Sequence, residues 1–264
     1  MRVGVLGATG RMGQTTCRAV LAAPGLELAA AAARATGVGR ELAEVVAGAP
    51  PGLLVGAGPD ALAAAGVDAV VDFSAPAATM AAAHQLLPAG VHLVSGTTGL
   101  AADAVDELAA LAGKAGGNAV WAPNFALGAV LAMHFAATAA RWYPAAEVIE
   151  LHHQGKADAP SGTALRTARA VAAAREAAAA GAPGREAVAG VRGGEVDGVR
   201  VHSVRLPGLV AHQEVLFGGD GELLTIRHDS FDRSSFMTGV LLAVGEVATR
   251  PGLTVGLEPL LGLA

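Results

Sequence analysis

The chain has 264 residues, 53% of them hydrophobic and 16% charged, and a formal net charge of −5. That apolar content excludes a disordered chain, and an acidic balance without a basic stripe excludes the usual footprint of a nucleic-acid binder. Glycine fills 36 positions with no three-residue period, which excludes collagen, and aromatics are only 3%.

The core must therefore be Ala, Val and Leu, which suits closely packed helices on a parallel sheet. Residues 2–6 read as a strand rather than the apolar core of a secretion signal. A glycine loop and a helix over 12–22 follow. Residues 26–33 read as a strand despite their alanines. Strands at 69–73, 91–95 and 119–121 then alternate with helices at 77–87 and 101–113. This alternation predicts βαβ units in an α/β fold, a doubly wound Rossmann-type parallel sheet.

No residue between Lys114 and Arg141 carries a formal charge, a length that raises the question of a membrane span. Gly116, Gly117, Asn118, Pro123, Asn124 and His134 break it up. It reads instead as strand, loop and a buried helix over 126–141, with no membrane partner. Residues 147–151 read as a strand ending in His152-His153, then a polar loop and a helix over 163–180. Residues 181–198 read as loop, with a turn at Gly193-Gly194. Strands at 199–205, 214–217 and 223–228 predict a smaller α+β domain with a mixed or antiparallel sheet. An apolar helix over 234–249 is stopped by Pro251.

Three motifs carry chemistry. Gly7-Ala8-Thr9-Gly10-Arg11-Met12-Gly13 follows the first strand. Such a turn lets backbone N–H groups approach a pyrophosphate at the next helix's start. The acid that usually bonds the ribose hydroxyls would fall near Ala33, where Arg34 follows instead. Arg34 either meets a 2′-phosphate or is an ordinary exposed arginine at a strand end. Gly96-Thr97-Thr98-Gly99 and Pro123-Asn124-Phe125 follow later strands, at the edge where open α/β sheets bind ligands; each is equally a plain turn.

The third motif is His152-His153-Gln154-Gly155-Lys156-Ala157-Asp158-Ala159-Pro160-Ser161-Gly162-Thr163-Ala164. Of 18 Lys and Arg residues only two are lysines, Lys114 and Lys156. Lys is a compact charge that Arg does not imitate. A His or Lys here can supply a proton near neutral pH. Ser161-Gly162-Thr163 opens a helix whose first N–H groups favour an anion. His84, His92 and His134 read as packed or capped residues, and His212 and His228 either pack or line a site. Arg233 precedes the last helix and reaches an anion in one reading. Cys17, the only cysteine, reads as a core residue and fits a reducing compartment. Nothing points to a metal.

The long His-His motif, with the N-terminal Gly-Arg-Met-Gly turn, Phe73-Ser74-x-Pro76, Gly96–Gly99, Pro123–Phe125 and Arg233, resembles the dihydrodipicolinate reductase family. The resemblance implies a lysine-pathway reductase in the cytoplasm, a homotetramer using NADPH or NADH on a small dicarboxylate. It implies a dinucleotide-binding domain over 1–124 with 233–264, and a substrate and oligomerisation domain over 125–232. Gly7, Ala8, Thr9, Gly10, Arg11 and Met12 would cradle the pyrophosphate, and Arg34 would lie near the adenosine ribose. Gly96, Thr97, Thr98, Pro123, Asn124, Phe125 and Ala126 would meet the nicotinamide side. His152 and Lys156 would be catalytic; His153, Ser161, Gly162, Thr163 and Arg233 would bind substrate. Ala33 departs from the family's ribose-binding acid, and Ala126 from a serine. The other readings are a different two-domain NAD(P) dehydrogenase and a non-catalytic dinucleotide-binding regulator.

Overall fold

A computed structural model describes residues 1–114, 116–175 and 185–263. In chain order come β1 (Arg2–Leu6), α1 (Arg11–Ala22), β2 (Glu27–Ala33), β3 (Val55–Ala57), α2 (Gly58–Ala63) and β4 (Ala69–Asp72). Then follow α3 (Pro76–Leu86), β5 (His92–Ser95), α4 (Ala102–Lys114), β6 (Ala119–Trp121) and α5 (Leu127–Ala140). Next are β7 (Ala145–His152), α6 (Gly162–Ala174), β8 (Gly194–Val196), β9 (Val199–Arg205), β10 (Ala211–Gly219) and β11 (Glu222–Ser230). The chain closes with α7 (Met237–Glu246) and β12 (Leu253–Val255). It divides into two compact units, Met1–Phe125 with Arg233–Ala264, and Ala126–Asp232.

The first unit holds a seven-stranded sheet in the order β12-β6-β5-β4-β1-β2-β3, every pair parallel. From β1 the chain runs outward one way to β3, then crosses to β4 and runs the other way. Beyond the carboxyl ends of β1 and β4 lies the switch point where such sheets take ligands. The composition explains the sheet. β4 is buried at all four residues, as a central strand covered on both faces must be. In β2 five alanines form a strand because pairing with β1 and β3 overrides their helical preference. On α1 the buried residues Gly13, Thr16, Cys17 and Val20 recur at helical spacing.

The second unit holds a five-stranded mixed sheet, β11-β10-β7-β9-β8, in which only β7 and β9 run parallel. Along β7, Ala146, Val148 and Glu150 are buried in alternation. The apolar members of that row meet α5 and α6 in one core with Val201, Val215 and Phe217.

The structure agrees with the reading of the uncharged stretch and corrects several other expectations. The uncharged stretch resolves into β6 and α5, and no helix among the described residues is long and apolar enough to cross a membrane. The expected helix over 163–180 is α6, ending at Ala174; residues 176–180 lie outside the described residues. The loop over 181–198 contains β8 in its described part, paired to β9. The helix expected over 234–249 is α7 flanked by 3-10 turns at Arg233–Phe236 and Val247–Thr249. Ser234 and Ser235 start a helix poorly, and helix ends commonly tighten into such turns. Phe125, expected to open the second domain, lies in the first unit, its ring 5.9 Å from that of Phe73.

Candidate active site

In the first unit the glycine turn links β1 to α1. Gly7 has φ +81, and the N–H groups of Gly7 and Ala8 donate to the Ala32 carbonyl at 2.8 and 3.0 Å. A Cβ on Gly7 would come within 2.7 Å of the Phe73 carbonyl, and one on Gly13 would collide with the Gly7 carbonyl. The turn is therefore pressed between β4 and α1, and at its glycines it offers a ligand only backbone. Gly10 caps α1 without a side chain, and no acid stands in its first turn, so the positive helix end is uncompensated. That cradle fits a pyrophosphate.

Beside the turn lies a cavity of about 540 Å³ lined by Gly7, Thr9, Gly10, Arg34, Thr36 and Ser74 among others. Arg34 is exposed at the end of β2. The loop bearing Gly37 approaches the Thr9 methyl so closely that a Cβ on Gly37 would lie 3.0 Å away.

The loops after β4 and β5 are joined through Asp72, which is fully buried. Its carboxylate accepts hydroxyls from Thr79 (2.5 Å), Ser95 (2.7 Å), Thr97 (2.9 Å) and Ser74, and the Ser74 N–H at 3.0 Å. The Trp121 ring N–H donates to the Thr97 carbonyl at 2.8 Å. Gly96 is required because a Cβ there would enter the Phe73 ring. Gly96, Thr97, Phe73 and Phe125 thus cluster at the carboxyl edge. Nothing in the sequence reading marked Asp72. The signal available was an acid at the end of an apolar strand, followed by Ser74 and, after the next strand, by Thr97.

In the second unit His152 ends β7. The strand period puts Glu150 on the same face, and its carboxylate accepts the His152 Nδ1–H. Glu150 is fully buried and receives Arg205 from β9 through both oxygens, at 2.7 and 3.0 Å. Burial pushes the Glu150 carboxyl up, but hydrogen bonds from His152, Arg205 and Ser203 outweigh it and hold the group at about 2. Arg205 also donates to the Asp158 carbonyl at 2.7 Å. Lys156 Nζ donates to the Asp158 carboxylate at 2.7 Å, and that bond holds Asp158 below its ordinary range. Glu150 and Arg205 escaped the sequence reading, although a Glu two residues before a strand-ending His was visible.

The Lys156 N–H closes a turn on the His153 carbonyl at 3.1 Å, and His153 is exposed. Ser161 is buried and caps α6, accepting the Ala164 N–H at 3.1 Å. Gly162 and Thr163 form the first turn. Arg233 starts the segment that returns to the first unit and is exposed, whereas the other substrate candidates belong to the second unit. Ala126 opens the second unit and is buried, its carbonyl accepting the Val130 N–H at 3.1 Å.

The remaining histidines have structural partners. His212 Nδ1 bonds Asp229 at 2.7 Å and its Nε2 accepts the Val210 N–H, so both ring nitrogens are engaged within the second unit. His228 is packed against Gly128, and burial lowers its pKa. His92 accepts the Asn118 N–H at 3.0 Å. His84, expected in the core, is instead half exposed in a surface pair with Glu107. Among the described residues no group of His, Cys, Asp or Glu is placed to hold a metal.

Comparisons with known proteins agree with this arrangement. Residues 1–125 match the family model described as dihydrodipicolinate reductase, N-terminus, and residues 128–261 match its C-terminus counterpart. The 4-hydroxy-tetrahydrodipicolinate reductase of Mycobacterium marinum is 51% identical over 100% of both chains. That of Beutenbergia cavernae is 52% identical over 100% of this chain and 99% of its own. A dipicolinate-bound dihydrodipicolinate reductase from Paenisporosarcina sp. TG-14 superposes with a TM-score of 0.86 at 38% identity, covering 98% of each chain. An amine dehydrogenase from Mycobacterium smegmatis shares the fold alone, with a TM-score of 0.66 at 14% identity over 96% of this chain and 94% of its own. Matched over nearly its whole length by the N-terminal and C-terminal models together, this chain belongs to the dihydrodipicolinate reductase family.

Proposed function

We propose that this chain reduces 4-hydroxy-tetrahydrodipicolinate to tetrahydrodipicolinate, using NADPH or NADH, in lysine and diaminopimelate biosynthesis. The observation that carries the reading is the His152–Glu150 pair with Lys156 nearby in sequence, in a chain matched end to end by the reductase family. The dicarboxylate held by the relative from Paenisporosarcina supports the substrate class.

The roles divide by unit except at Ala126 and Arg233. Backbone of Gly7–Met12 and the start of α1 bind the pyrophosphate, and Arg34 lies at the adenosine end. Gly96, Thr97 and Thr98, with Pro123–Ala126, orient the nicotinamide. His153, Gly162, Thr163 and Arg233 receive the substrate, and Ser161 shapes the helix start that receives a carboxylate. Loss of the 4-hydroxyl as water leaves a conjugated cyclic imine, and a reduced nicotinamide, when bound, would supply a hydride to its C4 and leave an enamine. With Nδ1 committed to Glu150, His152 holds its transferable proton on Nε2 and delivers it to the enamine as charge develops there. Lys156 offsets the substrate's carboxylate charge or serves as a second donor. Holding both reactants in register is the main catalytic contribution.

A homotetramer in the cytoplasm completes the reading. Its support is the family resemblance, an open edge strand β11 with Leu223 66% exposed, and a single cysteine that is free and buried. The test is NADPH oxidation by the purified protein with and without 4-hydroxy-tetrahydrodipicolinate. Oxidation that does not depend on that substrate would overturn the assignment.

A further inference from the structure

We propose that Glu150 and Arg205 form a buried positioning pair, which sets the tautomer and orientation of His152 and anchors the loop that carries Lys156. The proposal rests on the reading of His152 as proton donor.

Ala146 and Val148 show what this face of β7 uses for packing; Glu150, next in the row, is equally buried and charged. A buried carboxylate is costly unless paired, and a well-packed apolar residue commonly stabilises as much. Stability alone therefore does not explain an acid here. Its position does: one oxygen takes both the His152 Nδ1–H and Arg205, and the other takes Arg205 as well. The carboxylate fixes the ring's orientation and leaves Nε2 as the exchanging atom.

Arg205 then extends the pair into the loop. The guanidinium that neutralises Glu150 also holds the Asp158 carbonyl, and Asp158 holds Lys156. The two candidate proton donors are thereby tied to one ion pair, although Arg205 lies 55 residues from Glu150. Among the described residues the charged groups beside His152 are Glu150 from its own strand and Arg205 from β9, and Asp158 with Lys156 joins them through Arg205. On β10 the partners of His152 and Glu150 are Ala211 and Gln213, which do not titrate. Gln213 is bonded to Thr167 of α6 at 2.8 Å.

Two variants of the full-length protein test this. Glu150→Gln preserves shape and removes the charge. It should lower kcat about 10- to 100-fold, move the alkaline decline of kcat to lower pH, and abolish the downfield Nδ1–H proton resonance of His152. The dissociation constant for NADPH should be unchanged. Arg205→Lys keeps one charge but cannot bind both Glu150 oxygens and the Asp158 carbonyl together. It should raise KM for the dicarboxylate more than it lowers kcat. A Glu150→Gln enzyme with wild-type pH profile and resonance would overturn the positioning role. If that variant does not fold, Arg205→Lys decides, and a wild-type KM and resonance would overturn the proposal. A wild-type chain that reduced no substrate would count against the proposed reaction, while the resonance would still decide the pair.

Discussion

Thr97 donates its hydroxyl to the buried carboxylate of Asp72 at 2.9 Å, so the loop after β5 is held by the end of β4. The same oxygen takes Ser95 and Thr79. One acid thus organises the loops proposed to face the nicotinamide. Asp72→Asn replaces an acceptor among hydroxyl donors with an amide donor. An unsatisfied buried group costs about 1–3 kcal/mol. Urea unfolding should show a loss of that size, and NADPH should bind more weakly. Wild-type values for both would remove Asp72 from this role.

Two glycine substitutions should act in opposite directions. Gly13→Ala forces a methyl into the Gly7 carbonyl and should abolish dinucleotide binding with a large loss of stability. A Cβ on Gly113, inside α4, would meet open space, and that glycine has no positive φ. Gly113→Ala should stabilise by about 0.5–1 kcal/mol with NADPH affinity unchanged. Thermal melting and isothermal titration check both.

Glu150 titrates near 2 in the folded protein, below its ordinary 4.5. A depressed carboxyl adds stability that is present above the unfolded value and is lost as pH falls through the folded one. Unfolding midpoints should therefore decline between about pH 5 and pH 2, and Glu150→Gln should flatten part of that decline. Identical slopes for the two proteins would show that Glu150 contributes nothing to acid sensitivity.

Lys156→Ala should leave NADPH affinity intact and cost about 10²–10⁴-fold in turnover. The cofactor cradle lies in the first unit and Lys156 in the second, so binding and turnover should separate. Stopped-flow turnover beside fluorescence titration of NADPH gives the comparison. Turnover within a few-fold of wild type would exclude the role.

Arg34 stands where an acid would favour NADH, at the rim of the cavity beside the glycine turn. NADPH should bind at least as tightly as NADH. Arg34→Ala should weaken NADPH about tenfold at moderate salt while leaving NADH nearly unchanged, since a charge-assisted bond is worth about 1.5–3 kcal/mol before screening. Equal losses for both cofactors would refute the phosphate contact.

Local pattern alone determined the strand–turn–helix opening at β1 and α1, the parallel character of the first sheet, the His152–Lys156 segment and the helix start at Ser161. Each is written in consecutive residues: a glycine spacing, an apolar period or a cap. Of the three-residue strands, β6 was legible within the βαβ alternation, but β3, β8 and β12 were not, because three residues carry no period of their own and those strands exist only by pairing with a neighbour. Nothing in the sequence sets Glu150 apart from the other acids or Arg205 from the other arginines. Tertiary structure alone made them partners, since β7 and β9 pair in parallel across 55 residues and bring opposite charges together away from water. Asp72 follows the same rule: its partners Thr79, Ser95 and Thr97 come from separate elements. A buried charge is tolerated only where the fold supplies its counterparts, and that supply is invisible until distant strands are neighbours.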